Sequence, residues 1–345
     1  MPKSKVTNKD VAEVAGVSPT TVSFVLNNVE SANISEATKK RVWSAARKLG
    51  YVPNAAARSL AQGRSNNIGV VLIHTHEQIF LDAYIPNILT GLGDVVQRSG
   101  FRTILERIEA ASQHDTILSL LHGSEVAGLV VHGGKPDKDL LLSILEHEVP
   151  VVFVGDLPFE VPYSVYSDNL PGVRELINHL IGLGHQRIAC ISYAPENQQT
   201  NAVDRLDTYF DTLREHGIRP DRRLVRFGSF DPQSGYDAMK SLLEENTSPT
   251  AVYGMNDMMA IGAMASIQDS GLSVPEDIAV VGFDDDRFAA FTNPPLTTVK
   301  EAQREIGIRA GQMLVDLIND IEPENPHVLI PTKLIIRQSC GSHLN

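Results

Sequence analysis

Residues 8–28 read NKDVAEVAGVSPTTVSFVLNN, and this stretch decides the architecture of the amino-terminal end. Thr7 stands where a helix cap is wanted, and Val11, Val14 and Ala15 follow at the spacing of one helical face. Gly16 supplies the left-handed residue that ends a helix. Ser18 then caps a second helix with Pro19 at its first position, where proline's missing N–H costs nothing. Val22, Val25 and Leu26 form the inward stripe of that helix. Two helices joined by a short glycine-containing turn have the outline of a helix-turn-helix. Further on, Ser35 starts a third helix whose Val42, Ala46 and Leu49 face the same core, with Trp43 at its edge and Gly50 as the stop. Residues 1–50 are thus expected as a small all-α head, an outline that many three-helix domains share.

Charge separates this head from the rest. The 345-residue chain has a net charge of −12, which taken whole argues against a nucleic-acid partner. Residues 1–65, however, hold ten Lys and Arg against four Asp and Glu, a net of +6 that leaves −18 on the remainder. A basic head on an acidic body is expected where one domain meets phosphate and the other stays soluble. The composition, 42% hydrophobic and 21% charged, is that of a globular protein long enough for two or three domains. No run approaches the ~18 uninterrupted apolar residues of a membrane span. The opening MPKSKVTNKD has no apolar run behind its charges, so no secretory signal is expected. Cys190 and Cys340 show neither metal-ligand nor disulfide spacing, which fits a reducing cytoplasm.

After Pro53, NAAARSLAQGRSN is alanine-rich, yet shorter than the ~12–15 residues an isolated helix needs. Residues 51–66 are therefore either a plain linker or a segment that folds on its target. From Ile68 the pattern alternates between strand and helix. Strands are expected at 68–73, 101–107, 128–133, 149–155, 187–192, 250–255 and 278–283. Amphipathic helices are expected at 86–99, 137–147, 171–183, 204–216, 233–245 and 257–270. Near-continuous Val/Ile strands separated by helices imply parallel sheets covered on both faces, and this number of units suits two doubly wound lobes over 67–345.

Catalytic signatures are missing: there is no GxGxxG, no GxxxxGK[ST] and no GxSxG, and no helix pairs histidines at metal-ligand spacing. No enzyme, cofactor or metal is expected. His185, in GLGHQR, reads as a structural hydrogen bonder. The run Asp284-Asp285-Asp286 offers a hard-cation site or a solvated loop with one carboxylate facing a ligand. Open α/β sheets bind ligands beyond the carboxyl ends of their strands, which points to Asp156, Asn256, Asp257 and Asp284.

Together with NKDVAEVAGVSPTTVSFVLNN, the blocks KLGYVPNAAARSLAQGRSNNIGVVL, SDN, LGHQRIA, MNDMMAIGA, VPEDIAVVGFDD and NPPLTTV, in that order along the chain, resemble the LacI/GalR family. The resemblance implies a homodimeric repressor with a helix-turn-helix head, a hinge helix and a periplasmic-binding-protein-like effector domain. It implies a first lobe over about 67–165 and 296–325, and a second over about 166–293 and 326–340. It makes the helix Ser18–Leu26 the recognition helix for the major groove of double-stranded operator DNA, with Pro19, Thr20 and Phe24 where family members touch bases. Phe24 departs from the arginine or histidine common there; its ring either meets a thymine methyl or packs on the helix or backbone. Thr21, Ser23 and Asn27 would bond phosphates, fixing register without reading sequence, and Thr7 and Ser18 join the DNA-binding set. Leu60 takes the place of the leucine that wedges into the minor groove at the operator centre, flanked by Asn54, Arg58 and Ala61.

In the effector domain the resemblance assigns Arg205 to gripping the ligand, Asn256 and Asp284 to facing it from the second lobe, and Phe230 to stacking on it. Asp156, Arg107 and Tyr84 are its counterparts on the first lobe, while Asp168 and Asn169 lie near the crossing between lobes. Carboxylates, amide or guanidinium donors and one aromatic ring suit a sugar, whose hydroxyls they bond and whose CH-rich face the ring covers. A nucleobase or nucleoside is the alternative, with Arg205 and Phe230 as its clamp. A solute-binding protein with an incidental head is opposed by the basic head. The chain ends at SCGSHLN without a leucine-heptad tail, which favours a dimer.

Overall fold

The computed structural model describes residues 6–342 except 27–31, 52–64, 74–82, 109–112, 123–124, 134–137, 148, 156–160, 194–200 and 246. The chain forms two compact units, one up to Asn66 and one from Asn67.

The first unit holds α1 (Asn8–Ala15), α2 (Pro19–Leu26) and α3 (Glu36–Leu49). Its ends are built as the sequence implies. Thr7 donates both its backbone N–H and its hydroxyl to Asp10 Oδ2, each at 2.7 Å, and this holds the Asp10 carboxyl below its usual range. Ser18 Oγ accepts from Thr21 N at 3.0 Å, and Ser35 Oγ from Thr38 N at 3.3 Å. Gly16 and Gly50 both take the left-handed conformation, at φ 61° and 64°. Val11, Ala12, Ala15, Val22, Val25, Leu26, Val42, Ala45 and Ala46 make one core, with Leu49 packed against it. One expected core position, Val14, is exposed instead (49%), because the turn of α1 that presents Val11 and Ala15 inward carries it round to solvent; Trp43, expected at the edge, is 44% exposed.

The second unit contains two parallel sheets. The first is built from β1 (Asn67–Ile73), β2 (Arg102–Ile108), β3 (Gly128–His132), β4 (Val151–Val154), β5 (Ser164–Asp168) and β11 (His327–Pro331), in the order β11-β5-β4-β3-β1-β2. The second has β6 (Ile188–Ser192), β7 (Val225–Phe227), β8 (Ala251–Gly254) and β9 (Ala279–Val281), in the order β7-β6-β8-β9. In both, the first strand of the lobe lies between the second and the third, which is the doubly wound arrangement. Its ligand crevice opens beyond the carboxyl ends of the strands at that reversal.

Alternating side chains of the central strands serve two separate cores, which explains their unbroken apolar sequence. Val70 and Leu72 point to the core shared with α4 (Tyr84–Arg98) and α11 (Gln303–Ile318). Val71 and Ile73 point to that of α5 (Gln113–His122) and α6 (Lys138–Leu145). The second sheet is covered by α7 (Asn169–Gly182), α8 (Asn201–Glu215), α9 (Pro232–Glu244) and α10 (Asp257–Asp269). Glycines set the closest approaches. A Cβ on Gly262 of α10 would overlap Pro232 O of α9, and one on Gly307 of α11 would overlap Ile88 O of α4.

The lobe boundary differs from the expected one. Residues 327–331 pair with β5 as the edge of the first sheet rather than joining the second lobe. Residues 333–340 do join it: Ser339 Oγ donates to Val280 O and Val280 N to Ser339 O at 2.8 Å. Likewise 296–300 attach to β9 through Gly282 N→Thr297 O (2.9 Å) and Asp284 N→Val299 O (2.8 Å), so the chain returns to the first lobe only at Glu301. The crossing strands β10 (Thr298–Lys300) and β12 (Lys333–Ile335) form their own antiparallel pair.

Candidate functional sites: the second helix of the head and the lobe crossing

On the head, α2 presents Ser18, Pro19, Thr20 and Phe24 to solvent. Phe24 is 40% exposed and absent from the head core, so its ring is on offer to a ligand rather than serving as filler. Thr21 is already engaged by Ser18, hydroxyl to hydroxyl at 2.9 Å. Asn8 Nδ2 donates to Pro19 O at 3.1 Å, which ties the start of α2 to α1. Thr7 is exposed within its cap and Ser23 is half-buried. Asn27, Asn54, Arg58, Leu60 and Ala61 lie outside the described residues, as does Asp156.

In the second unit the polar groups converge where the strand ends meet the crossings. Tyr193 follows β6, Phe230 follows β7, Asn256 follows β8 and Asp284 follows β9. Arg205 projects from α8 and is 4% exposed. Its Nη1 donates to Met255 O at 3.2 Å, its guanidinium lies 4.0 Å above the Phe283 ring, and its Nη2 is 3.8 Å from Glu301 Oε1. Asn169 bridges that ion pair: in the amide orientation that satisfies both ends, Nδ2 donates to Glu301 Oε1 at 2.7 Å and Oδ1 accepts from Arg205 Nη2 at 3.1 Å. Burial works against the Arg205 charge, yet the acidic groups around it, Tyr193 and Glu301 foremost, hold its pKa above the ordinary value.

An aromatic wall completes the cluster. Tyr193 stacks on Phe230 with centroids 4.2 Å apart, and Phe230 sits at φ 69°, a left-handed backbone uncommon for a residue with a side chain. Burial pushes the Tyr193 phenol up to about 12, although Arg205 opposes the shift. Tyr84, at the start of α4, tilts against His132 at 5.7 Å. Burial raises its phenol well above the ordinary range, with Glu301, Arg205, Asp284 and Tyr193 contributing, so it belongs to the same electrostatic cluster. Arg107 is half-buried at the carboxyl end of β2, the same end of the first sheet as His132.

Several candidates turn out to be architectural as well. Asn256 is the N-cap of α10, its Oδ1 accepting from Met259 N and its Nδ2 donating to Phe230 O, each at 2.9 Å. It therefore fixes the backbone that carries the Phe230 ring. Asp257 is buried and accepts from Thr298 Oγ1 (2.6 Å) and Asp286 N (2.7 Å), with burial raising its carboxyl well above the usual range. The acidic run is likewise occupied: Asp285 takes Arg337 at 2.6 Å, and Asp286 takes Phe288 N at 2.9 Å and Ala83 N at 3.3 Å. Among the described residues no group of three or more His, Cys, Asp and Glu could hold a metal ion. His185 bonds Thr250 Oγ1 at 3.1 Å, the structural part expected of it.

Residues 7–54 match the model of the lacI family of bacterial regulatory proteins, and residues 177–340 match a periplasmic-binding-protein-like domain. The regulator CelR of Thermobifida fusca is 34% identical over 333 residues, 95% of this chain and 96% of that protein. The chain belongs to the lacI family. The repressor CytR of Escherichia coli is 32% identical over 336 residues, 96% of each chain. Among solved structures, the lac repressor dimer bound to operator and the anti-inducer ONPF superposes with a TM-score of 0.85 at 31% identity, covering 97% of this chain and 99% of that one. A CelR–cellobiose complex has a TM-score of 0.72 at 32% identity, covering 97% of this chain and 100% of that one. CelR and CytR are helix-turn-helix transcriptional regulators, and this lacI-family regulator shares the fold of the lac repressor in both units. No helix among its described residues is long and apolar enough to cross a membrane.

Sequence reasoning named Arg205, Asn256, Phe230, Asp284 and Tyr84 for this cluster but passed over Glu301, Tyr193 and the buried Tyr253, which lies within electrostatic reach of Arg205. Tyr193 had a signal, since it is the first residue after a buried strand, where Asn256 and Asp284 were found. Glu301 had none, because a glutamate after TTVK reads as surface until its buried partner is known.

Proposed function

We propose that this regulator binds operator DNA as a homodimer and that a small sugar held at the lobe crossing sets its affinity. The observation that carries the reading is the convergence of Arg205, Glu301 and Asn169 beside the stacked Tyr193 and Phe230, where four strand ends meet two crossings. Hydrogen-bond donors and acceptors next to an aromatic wall suit a hydroxylated ring with one apolar face. The cellobiose bound by CelR and the dimer on operator formed by the lac repressor support the same reading. A ligand that binds both lobes favours one degree of closure. If DNA favours another, the two sites are coupled reciprocally, typically by ~1–3 kcal/mol. The test is operator affinity measured across a sugar panel: a change of at least about fivefold with one sugar is expected, and no change with any would reject ligand control.

On the head, Pro19, Thr20 and Phe24 are proposed to meet base edges, with Thr7, Ser18, Thr21, Ser23 and Asn27 on phosphates. Phe24 offers only an apolar edge, which suits a thymine methyl. Phe24→Ala is expected to weaken a selected operator by roughly tenfold, about 1–3 kcal/mol per base contact, while leaving random duplex unaffected. Equal loss on both duplexes would show that Phe24 reads no base. The family resemblance extends the reading to Leu60 as a minor-groove wedge, with Asn54, Arg58 and Ala61 beside it. Leu60→Ala should lower operator affinity far more than non-specific affinity, as read by anisotropy on matched duplexes.

A further inference from the structure

Resting on the reading of the lobe crossing as the effector site, we propose that Glu301 makes this site selective for uncharged, hydroxyl-bearing effectors and closes it to phosphorylated or carboxylated ones. A buried arginine alone is a ready anion site, because its forked donors match a carboxylate or phosphate. Here the position an anion would take is held by the chain itself. Glu301 is 2% exposed, its Oε1 accepts from Asn169, and it stands 3.8 Å from Arg205 Nη2. Asp284 is also within electrostatic reach of Arg205, so two carboxyl groups lie around the one guanidinium before any ligand arrives. A second carboxylate or a phosphate at Arg205 would lose its water and meet a guanidinium whose charge is already paired, which is unfavourable in a buried setting.

The unsatisfied atoms of the same cluster show which chemistry remains. Arg205 Nε, Glu301 Oε2 and Tyr253 Oη are buried and have no hydrogen-bond partner among the described residues. Buried polar atoms are rarely left so, and each one needs an explanation. Nε–H can only donate and a carboxylate oxygen can only accept, so one cluster asks for an acceptor and a donor together. A hydroxyl group provides both from one oxygen. An anionic oxygen provides only the acceptor and would face Glu301 Oε2 across a repulsive contact. Tyr253, whose phenol is raised well above the ordinary range by burial, stays a neutral donor and adds no positive charge.

The experiment uses the full chain and reads the thermal midpoint at matched ionic strength. The probes are glucose and cellobiose on one side, and inorganic phosphate, glucose 6-phosphate and glucuronate on the other. The wild type should show no stabilisation by the anions beyond that of added chloride. Glu301→Gln removes the carboxylate paired with the guanidinium and should gain at least tenfold in affinity for one or more of the anions, and that gain should vanish in Glu301→Gln with Arg205→Met. The proposal is overturned if an anion stabilises the wild type and the effect is lost in Arg205→Met, a result that needs no Glu301 variant to fold. A folded Glu301→Gln protein, judged by circular dichroism, that gains no anion affinity overturns it equally. Sugar control of DNA binding is a separate readout: a panel without effect on operator affinity removes that control and leaves the charge selectivity standing.

Discussion

Arg205→Ala is expected to destabilise the second unit by about 3–5 kcal/mol, the cost of leaving one partner of a buried ion pair uncompensated. The side chains of Arg205 and Glu301 are 5% and 1% exposed, so water cannot take over the role of the lost guanidinium. Asn169, which bridges the two, would keep only its bond to Glu301. The double variant Arg205→Met with Glu301→Gln removes both charges at similar volume and should recover most of the loss, since well-packed neutral replacements of buried pairs are often tolerated. Urea unfolding followed by circular dichroism measures both variants. A single variant within about 1 kcal/mol of wild type would mean that the pair is not buried and charged as described. Arg205→Ala should also abolish any sugar response, while non-specific DNA binding persists, because the head carries its own core.

Gly262→Ala is the second large effect, about 3 kcal/mol, the upper end of the usual range for overpacking. The added methyl meets backbone: it overlaps Pro232 O and comes within 2.8 Å of Tyr236 N, and neither can rotate away. Relief requires the start of α9 to move off α10. That movement has a functional consequence, because Asn256, the cap of α10, holds the carbonyl of Phe230 just ahead of α9. Ligand affinity should therefore fall along with stability. Gly182→Ala is the control: nothing lies within 4 Å of its Cβ position, so it should change little. If both variants unfold at the same urea concentration as wild type, the close packing of α9 on α10 is wrong.

What was legible in the sequence follows from how local each signal is. The caps and stops of the head are read within a few residues, and Thr7, Ser18, Ser35, Gly16 and Gly50 all behave as expected. Central strands such as IGVVLI were legible because both faces are buried, which leaves an unbroken apolar run. By contrast, β5 (SVYSD) and β11 (HVLIP) carry polar residues and lie toward one edge of the first sheet. Their pairing depends on a crossover from far along the chain, so the boundary of the lobes was misplaced there. The three-residue β7 is too short to show any period. Within the site, Asn256 and Asp284 were pointed to by the crevice rule, which is a property of the fold, whereas Arg205 and Phe230 came from the family resemblance. Glu301 is a property of one tertiary contact, and a single sequence holds no trace of it.

The most direct test of the account is a selection from a randomised duplex pool by the full chain, followed by operator affinity with and without each sugar of the panel. The account predicts an enriched sequence with inverted-repeat symmetry, altered at particular base pairs by Phe24→Ala, and bound with an affinity that one sugar shifts in wild type but not in the Arg205→Met, Glu301→Gln double variant. A pool that yields no enriched sequence, or an enriched site whose affinity no sugar shifts or that responds equally in the double variant, would contradict it.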